Sequence, residues 1–545
     1  MSAVARPFTG DRLAGRLGRA PWTLLLALLL LALLFGARVL LLQLLASDGV
    51  SLHVDEAQYW DWSREPAWGY YSKPPVIAAL IGLSQALFGS HETGLRLLTL
   101  VCWTATAGVL ASLAHAIAAS TPQGSTMHAA RDRFAIWALV AWAVSPLAGL
   151  LGLVATTDAP LLLAWALALR LLWSLRDGGS VWGWVALGLV AALGLLAKYT
   201  FAALLPGALL WLLWLRRRSG QQPAAPGPAL ALAVALACVA PHLVWNATAG
   251  WPTLHHTAEI TLRSAPVAAA LSAALMSGLS FAAAQPLLLA PLLLPALLWT
   301  ACRQRSQRLQ PLPHAATALL LATTVPLLIA GLAQALRGRA EVNWIAPAHL
   351  AGALALAWVA AQVHGGRGAG WRWPLAQGAL VTTLALAPAL WALARPAVAV
   401  PTVLDPWARL RGWGPALHMF EPWLDREPGA LVVGSTRTVL AQAAWHWRHR
   451  IVKHGRLPPR AAWAPTPAHH YAWRCPWPAP GGRASSAPVF LLAEGEPDAA
   501  LVTALGGIEV LHRARVQRRD RPGVELLWAR ALAPAGAGDE GGLCR

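Results

Sequence analysis

Apolar residues fill most of this chain in blocks of about 20, separated by short polar breaks. The blocks lie at 22–45, 93–119, 133–151, 159–175, 181–197, 200–215, 229–247, 275–300, 313–334, 344–363 and 374–395. Each is near the length of helix needed to cross the hydrocarbon layer, so the pattern predicts about eleven transmembrane helices. The segment 46–92 breaks the pattern. Asp55 to Ser63 reads as a short helix with Asp55, Tyr59 and Trp62 on one face at i, i+4, i+7. Val76 to Phe88 is apolar but too short to span and is predicted to lie in the interface. Pro74 and Pro75 separate the two helices. Beyond residue 396 the long apolar blocks stop. Leu431 to Val433 and Val489 to Leu492 predict short buried strands, and Val439 to Trp447 a helix. The expected organisation is a short N-terminal segment (1–21), a polytopic helical domain (22–395), a small α/β domain (396–532) and a Gly/Ala-rich tail (533–545).

Composition agrees. The chain is 57% hydrophobic and 12% charged, with mean hydropathy +0.50, which excludes an ordinary soluble protein. A net charge of +19 would suit nucleic acid, but its distribution argues otherwise. Arginines collect in short loops: Arg6, Arg12, Arg16 and Arg19, then Arg131 and Arg133, Arg216 to Arg218, Arg303, Arg305 and Arg308, and Arg367 with Arg372. This is the positive-inside pattern, and no nucleic-acid partner is expected. It puts the N-terminus in the cytoplasm. The first apolar block is too long for a cleavable signal and reads as a permanent span. An odd span count then places 46–92, 152–158, 248–274, 335–343 and the C-terminal domain outside. Cys475 and Cys544 fall in that outer part, where a disulfide between them is an option. Cys102, Cys238 and Cys302 read as packing residues, and no zinc spacing occurs.

Charge is scarce, so its clustering on the outer side is informative. Asp55 and Glu56 follow directly on the first span. Asp158 begins another span, Lys198 ends one, and Arg337, Arg339 and Glu341 share a short outer loop with Asn343. Lys73 follows Tyr70 and Tyr71. Singly, these residues read as helix caps and snorkelling anchors. Together they place carboxylates opposite cations, which suits a general base beside a phosphate site. His255 and Glu259 stand at i, i+4 as a candidate metal pair, but without a clear third ligand they read as a surface loop. Trp445 to Arg450 alternates aromatic and basic residues and suits either sugar stacking or a buried helix face.

Several motifs occur in a fixed order. They are Asp55-Glu56-Ala-Gln-Tyr59-Trp60, Trp68-Gly-Tyr70-Tyr71-Ser-Lys73-Pro-Pro, Thr157-Asp158-Ala-Pro, Ala197-Lys198-Tyr199-Thr, Trp245-Asn246-Ala-Thr-Ala-Gly250-Trp251 and Glu341-Val-Asn343-Trp344-Ile-Ala-Pro347. Over roughly residues 22–395 the chain resembles the polyprenyl-phosphate-dependent GT-C glycosyltransferases, in particular the bacterial protein O-mannosyltransferase and aminoarabinose transferase branch of family 39. The resemblance implies transfer of a sugar from a polyprenyl-phosphate donor to a lipid A, glycolipid, protein or cell-wall acceptor at the outer face of the bacterial cytoplasmic (inner) membrane, with inversion. It implies Asp55, Glu56 and Asp158 as catalytic carboxylates, and Lys198, Arg337, Arg339 and Lys73 at the donor phosphate. Tyr59, Tyr70, Tyr71, Tyr199, Glu341 and Asn343 would contact substrate. His53 is assigned no role. A divalent metal, Mg or Mn, is the one cofactor candidate, without assigned ligands. The competing reading is a lipid or glycan flippase. Transporters place ionisable groups at mid-span, whereas these gather at one face.

Overall fold

The structure, a computed structural model, describes residues 20–532 except 123–124, 126–127, 129, 220–225, 263–270, 304–308, 338–339, 364–371, 395–404, 455–456, 459, 464–468, 475, 478–487 and 518–522. Arg339, the Cys475–Cys544 pairing and the tail lie outside the described residues.

The first helix, α1 (Ala20–Ser47), leads into the outer segment, which forms α2 (Val54–Ser63) and the apolar α3 (Val76–Phe88). The bundle continues with α4 (Glu92–Ala119), α5 (Arg131–Ala143), α6 (Pro146–Leu150), α7 (Asp158–Leu175), α8 (Val181–Ala197), α9 (Leu204–Ser219) and α10 (Gly227–Thr248). It closes with α11 (Pro252–Leu262), α12 (Leu271–Leu289), α13 (Leu293–Arg303), α14 (His314–Leu336), α15 (Ala348–Val363) and α16 (Arg372–Ala394).

Among the described residues, eight helices are long and apolar enough to cross a membrane, or nine if the bent pair after Arg131 is one span. The last two of the eleven expected spans are α8 and α15, of 17 and 16 residues. Two expected spans are broken. The block 133–151 bends by 57°, where the Ser145 hydroxyl caps a new helix and Pro146 occupies its first turn. The block 275–300 stops at Leu289 and resumes at Leu293, around Pro291, which lacks an N–H for the helical ladder. A core rich in tryptophan, with Trp103, Trp142, Trp165 and Trp173 fully buried, fills the centre of the bundle.

The C-terminal portion carries α17 (Trp413–His418), α18 (Glu421–Arg426), α19 (Arg437–His446), α20 (His449–His454), α21 (His470–Arg474) and α22 (Ala499–Ala504). Its sheet comprises β1 (Leu431–Gly434), β2 (Arg460–Trp463), β3 (Pro476–Trp477), β4 (Val489–Glu494), β5 (Ile508–Arg515) and β6 (Glu525–Ala531), in the order β3-β2-β1-β4-β6-β5. Strands β1 to β4 run parallel, with Val432 beside Phe490 and Arg460, while β6 pairs antiparallel with β4 and β5. The two central strands are buried along their length, as expected of apolar runs in a parallel sheet.

This portion is built onto the outer segment. One buried cluster unites Leu52, Tyr59, Trp60 and Trp62 with Trp413, Trp445, Trp447 and Trp528. Trp60 meets Trp445 edge-on at 5.3 Å between ring centres. Buried polar contacts fix the seam. Arg460 donates to both oxygens of Asp61 at 2.9 and 3.1 Å, Tyr471 adds a hydroxyl bond at 3.1 Å, and Gln442 donates to the Leu52 carbonyl at 3.1 Å. Helix α2 is therefore held between the bundle and the sheet.

Candidate active site

The position of Asp55 is set by the start of α2. His53 is the N-cap: its Nδ1 accepts from the Asp55 N–H at 3.2 Å. Glu56 reaches back to accept the His53 N–H at 2.9 Å, completing a capping box. Glu56 is fully buried and also takes two bonds from Arg96 of α4, both 2.8 Å, and one from the Ala155 N–H, also 2.8 Å. One carboxylate thus joins α2, α4 and the strand of chain leading to Asp158. Glu56 faces away from the open cavity, so its place is that of a positioning residue.

The cavity, about 750 Å³, opens beside α2. Asp55, Tyr59, Tyr71, Lys73, Asp158, Lys198, Glu341 and Asn343 all line it. Residues as far apart in sequence as Asp55 and Asn343 are thereby brought to one chamber. Asp158, nearly buried, accepts from Lys198 Nζ at 2.7 Å on one oxygen and from Asn343 Nδ2 at 2.7 Å on the other. The Tyr70-to-Pro75 turn is pinned from below. The Tyr70 N–H donates to the Lys73 carbonyl at 3.0 Å, and Thr253 donates to the Tyr70 carbonyl at 2.9 Å. Gly69 packs so closely that an added Cβ would come within 2.3 Å of the Trp245 ring.

Three further assigned residues do not line this cavity. Tyr70 is structural: its hydroxyl donates to the Trp62 carbonyl at 3.1 Å and its ring stacks on Trp62 at 4.7 Å. Trp62, expected on the face of Asp55, is buried in that stack. Tyr199 bonds His242 Nε2 at 2.6 Å and lines a neighbouring pocket of about 430 Å³. Arg337 is exposed at the end of α14 and lines neither space. With Glu56, these are the departures from the expected site. The region of His255 and Glu259 is a helix, not a loop, and it is His256 that faces the cavity.

The C-terminal portion supplies residues that the sequence left unassigned. Arg437, the first residue of α19, places Nη2 2.9 Å from Asp55 Oδ1 and Nη1 2.9 Å from Gln58 Oε1. His469 and His470 also line the cavity, and burial pushes each down to about 4, which keeps both rings neutral. Nothing in the spacing of Arg437 or the histidines signals the site, because they reach it only through the docking of the sheet onto α2.

The electrostatics follow from this crowding. Burial alone would raise the Asp55 carboxyl, but Arg437, His53 and Lys73 outweigh it and hold it below the ordinary carboxylate value. Burial, reinforced by Lys198, pushes the Lys73 ammonium down to about 8. Asp55 and Asp158 each have a cation of their own. Among the described residues, Lys73 makes no side-chain hydrogen bond.

Comparison with known proteins gives three matches. Residues 72–245 match the family model described as dolichyl-phosphate-mannose-protein mannosyltransferase. The lipid A galacturonosyltransferase RgtD of Rhizobium johnstonii is 30% identical over 313 residues. Over these spans the chain is similar to glycosyltransferases. That alignment covers 57% of this chain and 61% of RgtD, so the chain spans less than two thirds of that relative's length. A likeness of fold extends over nearly the whole chain. The crystal structure of ArnT from Cupriavidus metallidurans bound to undecaprenyl phosphate superposes with a TM-score of 0.53 at 14% identity, covering 96% of this chain and 100% of ArnT. The apo ArnT structure gives 0.54, with 95% and 100% covered. As the fold class expected from sequence requires, a polytopic helical body carries a small C-terminal sheet domain.

Proposed function

We propose that the protein transfers a glycosyl group from a polyprenyl-phosphate donor to a lipid acceptor at the outer face of the bacterial cytoplasmic membrane, with the cavity and the C-terminal domain outside. The observation that carries this reading is Lys73. It is a cation pressed into the chamber, adjacent to Lys198, and its ammonium makes no hydrogen bond among the described residues. A phosphate placed there gains charge-assisted bonds that no side chain now makes. The neighbouring pocket shares Lys73, Lys198, His256 and Trp344 with the cavity and continues onto Leu327, Ala330 and Ile345. A polar head joined to an isoprenoid matches that amphipathic shape.

In the reaction the acceptor hydroxyl loses its proton to Asp55. Its oxygen bonds to the anomeric carbon as the bond from that carbon to the phosphate oxygen breaks. The phosphate leaves with an added negative charge, which Lys73 and Lys198 stabilise. Asp158 and Asn343 position Lys198. One displacement inverts the anomeric centre. Asp55 faces Arg437 and Asp158 faces Lys198, so a divalent ion at either carboxylate would have to displace a cation.

RgtD's name supplies the finer reading: a uronic acid as the sugar and lipid A as the acceptor. Arg437 supports it, because a guanidinium at the cavity wall can receive a sugar carboxylate in place of Asp55. The test is transfer by the purified chain from polyprenyl-phosphate galacturonic acid or the matching neutral hexose to lipid A, read by mass spectrometry. A shift of one uronosyl residue supports the reading. Transfer of the neutral sugar alone reassigns the donor, and no transfer from either donor removes it.

A further inference from the structure

We propose that His418, Glu421 and His449 form a divalent-metal site, suited to zinc, on the surface of the C-terminal domain and separate from the catalytic cavity. Their ligand atoms lie within 4.8 Å of one another, and among the described residues this is the one grouping of that kind. His418 closes α17, Glu421 opens α18 three residues on, and His449 opens α20. The single carboxylate is approached on both oxygens. His418 Nδ1 lies 2.5 Å from Oε1 and His449 Nε2 lies 2.9 Å from Oε2.

The tautomer of His449 gives the second argument. Its Nδ1 lies 3.2 Å from the His446 carbonyl, and a carbonyl can only accept. Nδ1 therefore carries the hydrogen. In the neutral ring Nε2 then presents a lone pair directly to a carboxylate oxygen. Two acceptors at 2.9 Å require a cation between or beside them. A backbone carbonyl fixing one ring nitrogen while the other faces outward is the outer-shell arrangement that orients metal-binding histidines. Two imidazoles and a carboxylate are a zinc donor set, and they leave a fourth tetrahedral position for water. Bonds of about 2.0–2.2 Å place ligand atoms roughly 3.3 Å apart, so small side-chain rotations suffice.

The surroundings permit entry. The His418 and His449 side chains are 49% and 47% exposed. Arg450 stands 4.0 Å from Glu421 but is already paired with Asp425 at 2.7 Å. A bound ion would cross-link the α17–α18 elbow to the α19–α20 elbow, whose other end carries Arg437. The competing occupant is a proton, with His449 as imidazolium.

The experiment uses the full-length protein in detergent, stripped with chelator and then titrated with Co²⁺ as a spectroscopic probe and with Zn²⁺ against a chromophoric chelator. The proposal expects one equivalent of each metal, visible absorption of four-coordinate cobalt, and at least tenfold weaker binding in His418→Gln, His449→Gln and Glu421→Gln. Glu259→Gln, at the other His/Glu pair, should bind as wild type. The two histidines are surface positions, and unfolding curves of His418→Gln and His449→Gln in chelator should match wild type. Lack of stoichiometric binding by the wild-type chain, or unchanged affinity in the three variants, overturns the site and leaves a proton-bridged trio.

Discussion

Arg437 of the C-terminal domain grips Asp55 of the first outer segment, Nη2 to Oδ1, at 2.9 Å. The contact makes the soluble domain part of the catalytic chamber. It also sets the basicity of Asp55, whose carboxyl it helps hold down against the effect of burial. Replacing Arg437 with Gln leaves burial less opposed, so the Asp55 value rises. The acid limb of the kcat/KM pH profile should move to higher pH, because Asp55 then becomes protonated earlier as pH falls. A limb at the wild-type position would show that Arg437 does not tune the base.

Lys73 gives the opposite pH signature. Its ammonium, pushed to about 8, is charged below that value and neutral above it. Donor affinity should therefore fall as pH rises through about 8 and hold steady below. Lys73→Met should remove that dependence and weaken binding by roughly 10- to 100-fold, the worth of a charge-assisted bond of 1.5–3 kcal/mol. Arg337→Ala, on an exposed residue outside both spaces, should bind donor as wild type. Equilibrium binding of a fluorescent polyprenyl phosphate measures all three.

The Asp61–Arg460 pair anchors the sheet to α2. Burial alone would raise Asp61, but Arg460 outweighs it and the carboxyl sits below its ordinary value. Its stabilisation is therefore complete above the ordinary carboxylate value, about 4, and disappears as pH falls through the lower folded value. Asp61→Asn strands a buried guanidinium and should destabilise by about 3–5 kcal/mol. Thermal unfolding against pH should show a flatter acid slope in the variant.

Glu56→Gln tests the positioning role. It leaves Arg96 without its ion partner in a fully buried place. We expect lower thermal stability, again by about 3–5 kcal/mol, with loss of activity tracking loss of folded protein. Full stability with abolished turnover would return Glu56 to the chemistry.

The bundle was legible because membrane burial imposes a length and an apolarity on each span, and the outer cluster was legible because charge there has no other reason to gather. Asp55, Asp158, Lys73, Lys198 and Asn343 were readable on those grounds. Glu56 was not separable from Asp55, since adjacent acids at a helix start look alike until the helix shows which one turns inward. Arg437, His469 and His470 were hidden because their place depends on long-range docking between α2 and the sheet. The antiparallel pair β5–β6 also escaped, since its strands carry charged residues such as Arg513 and Glu525 that bridge each other. The breaks at Ser145-Pro146 and Pro291 were written in the sequence but masked by the apolar runs around them.

The central claim is that Asp55 accepts the acceptor's proton inside a cavity whose phosphate site is separate from it. Asp55→Asn keeps the shape and removes the basicity, and Arg437 keeps its bond to Gln58 when the carboxylate is gone. The decisive measurement is single-turnover transfer from the polyprenyl-phosphate sugar at saturating donor, with donor affinity and unfolding measured on the same preparation. The account predicts wild-type folding, near-normal donor binding and a rate lower by roughly 100- to 10,000-fold. A folded Asp55→Asn enzyme that turns over at close to the wild-type rate would contradict it and move the base to another carboxylate, Asp158 first.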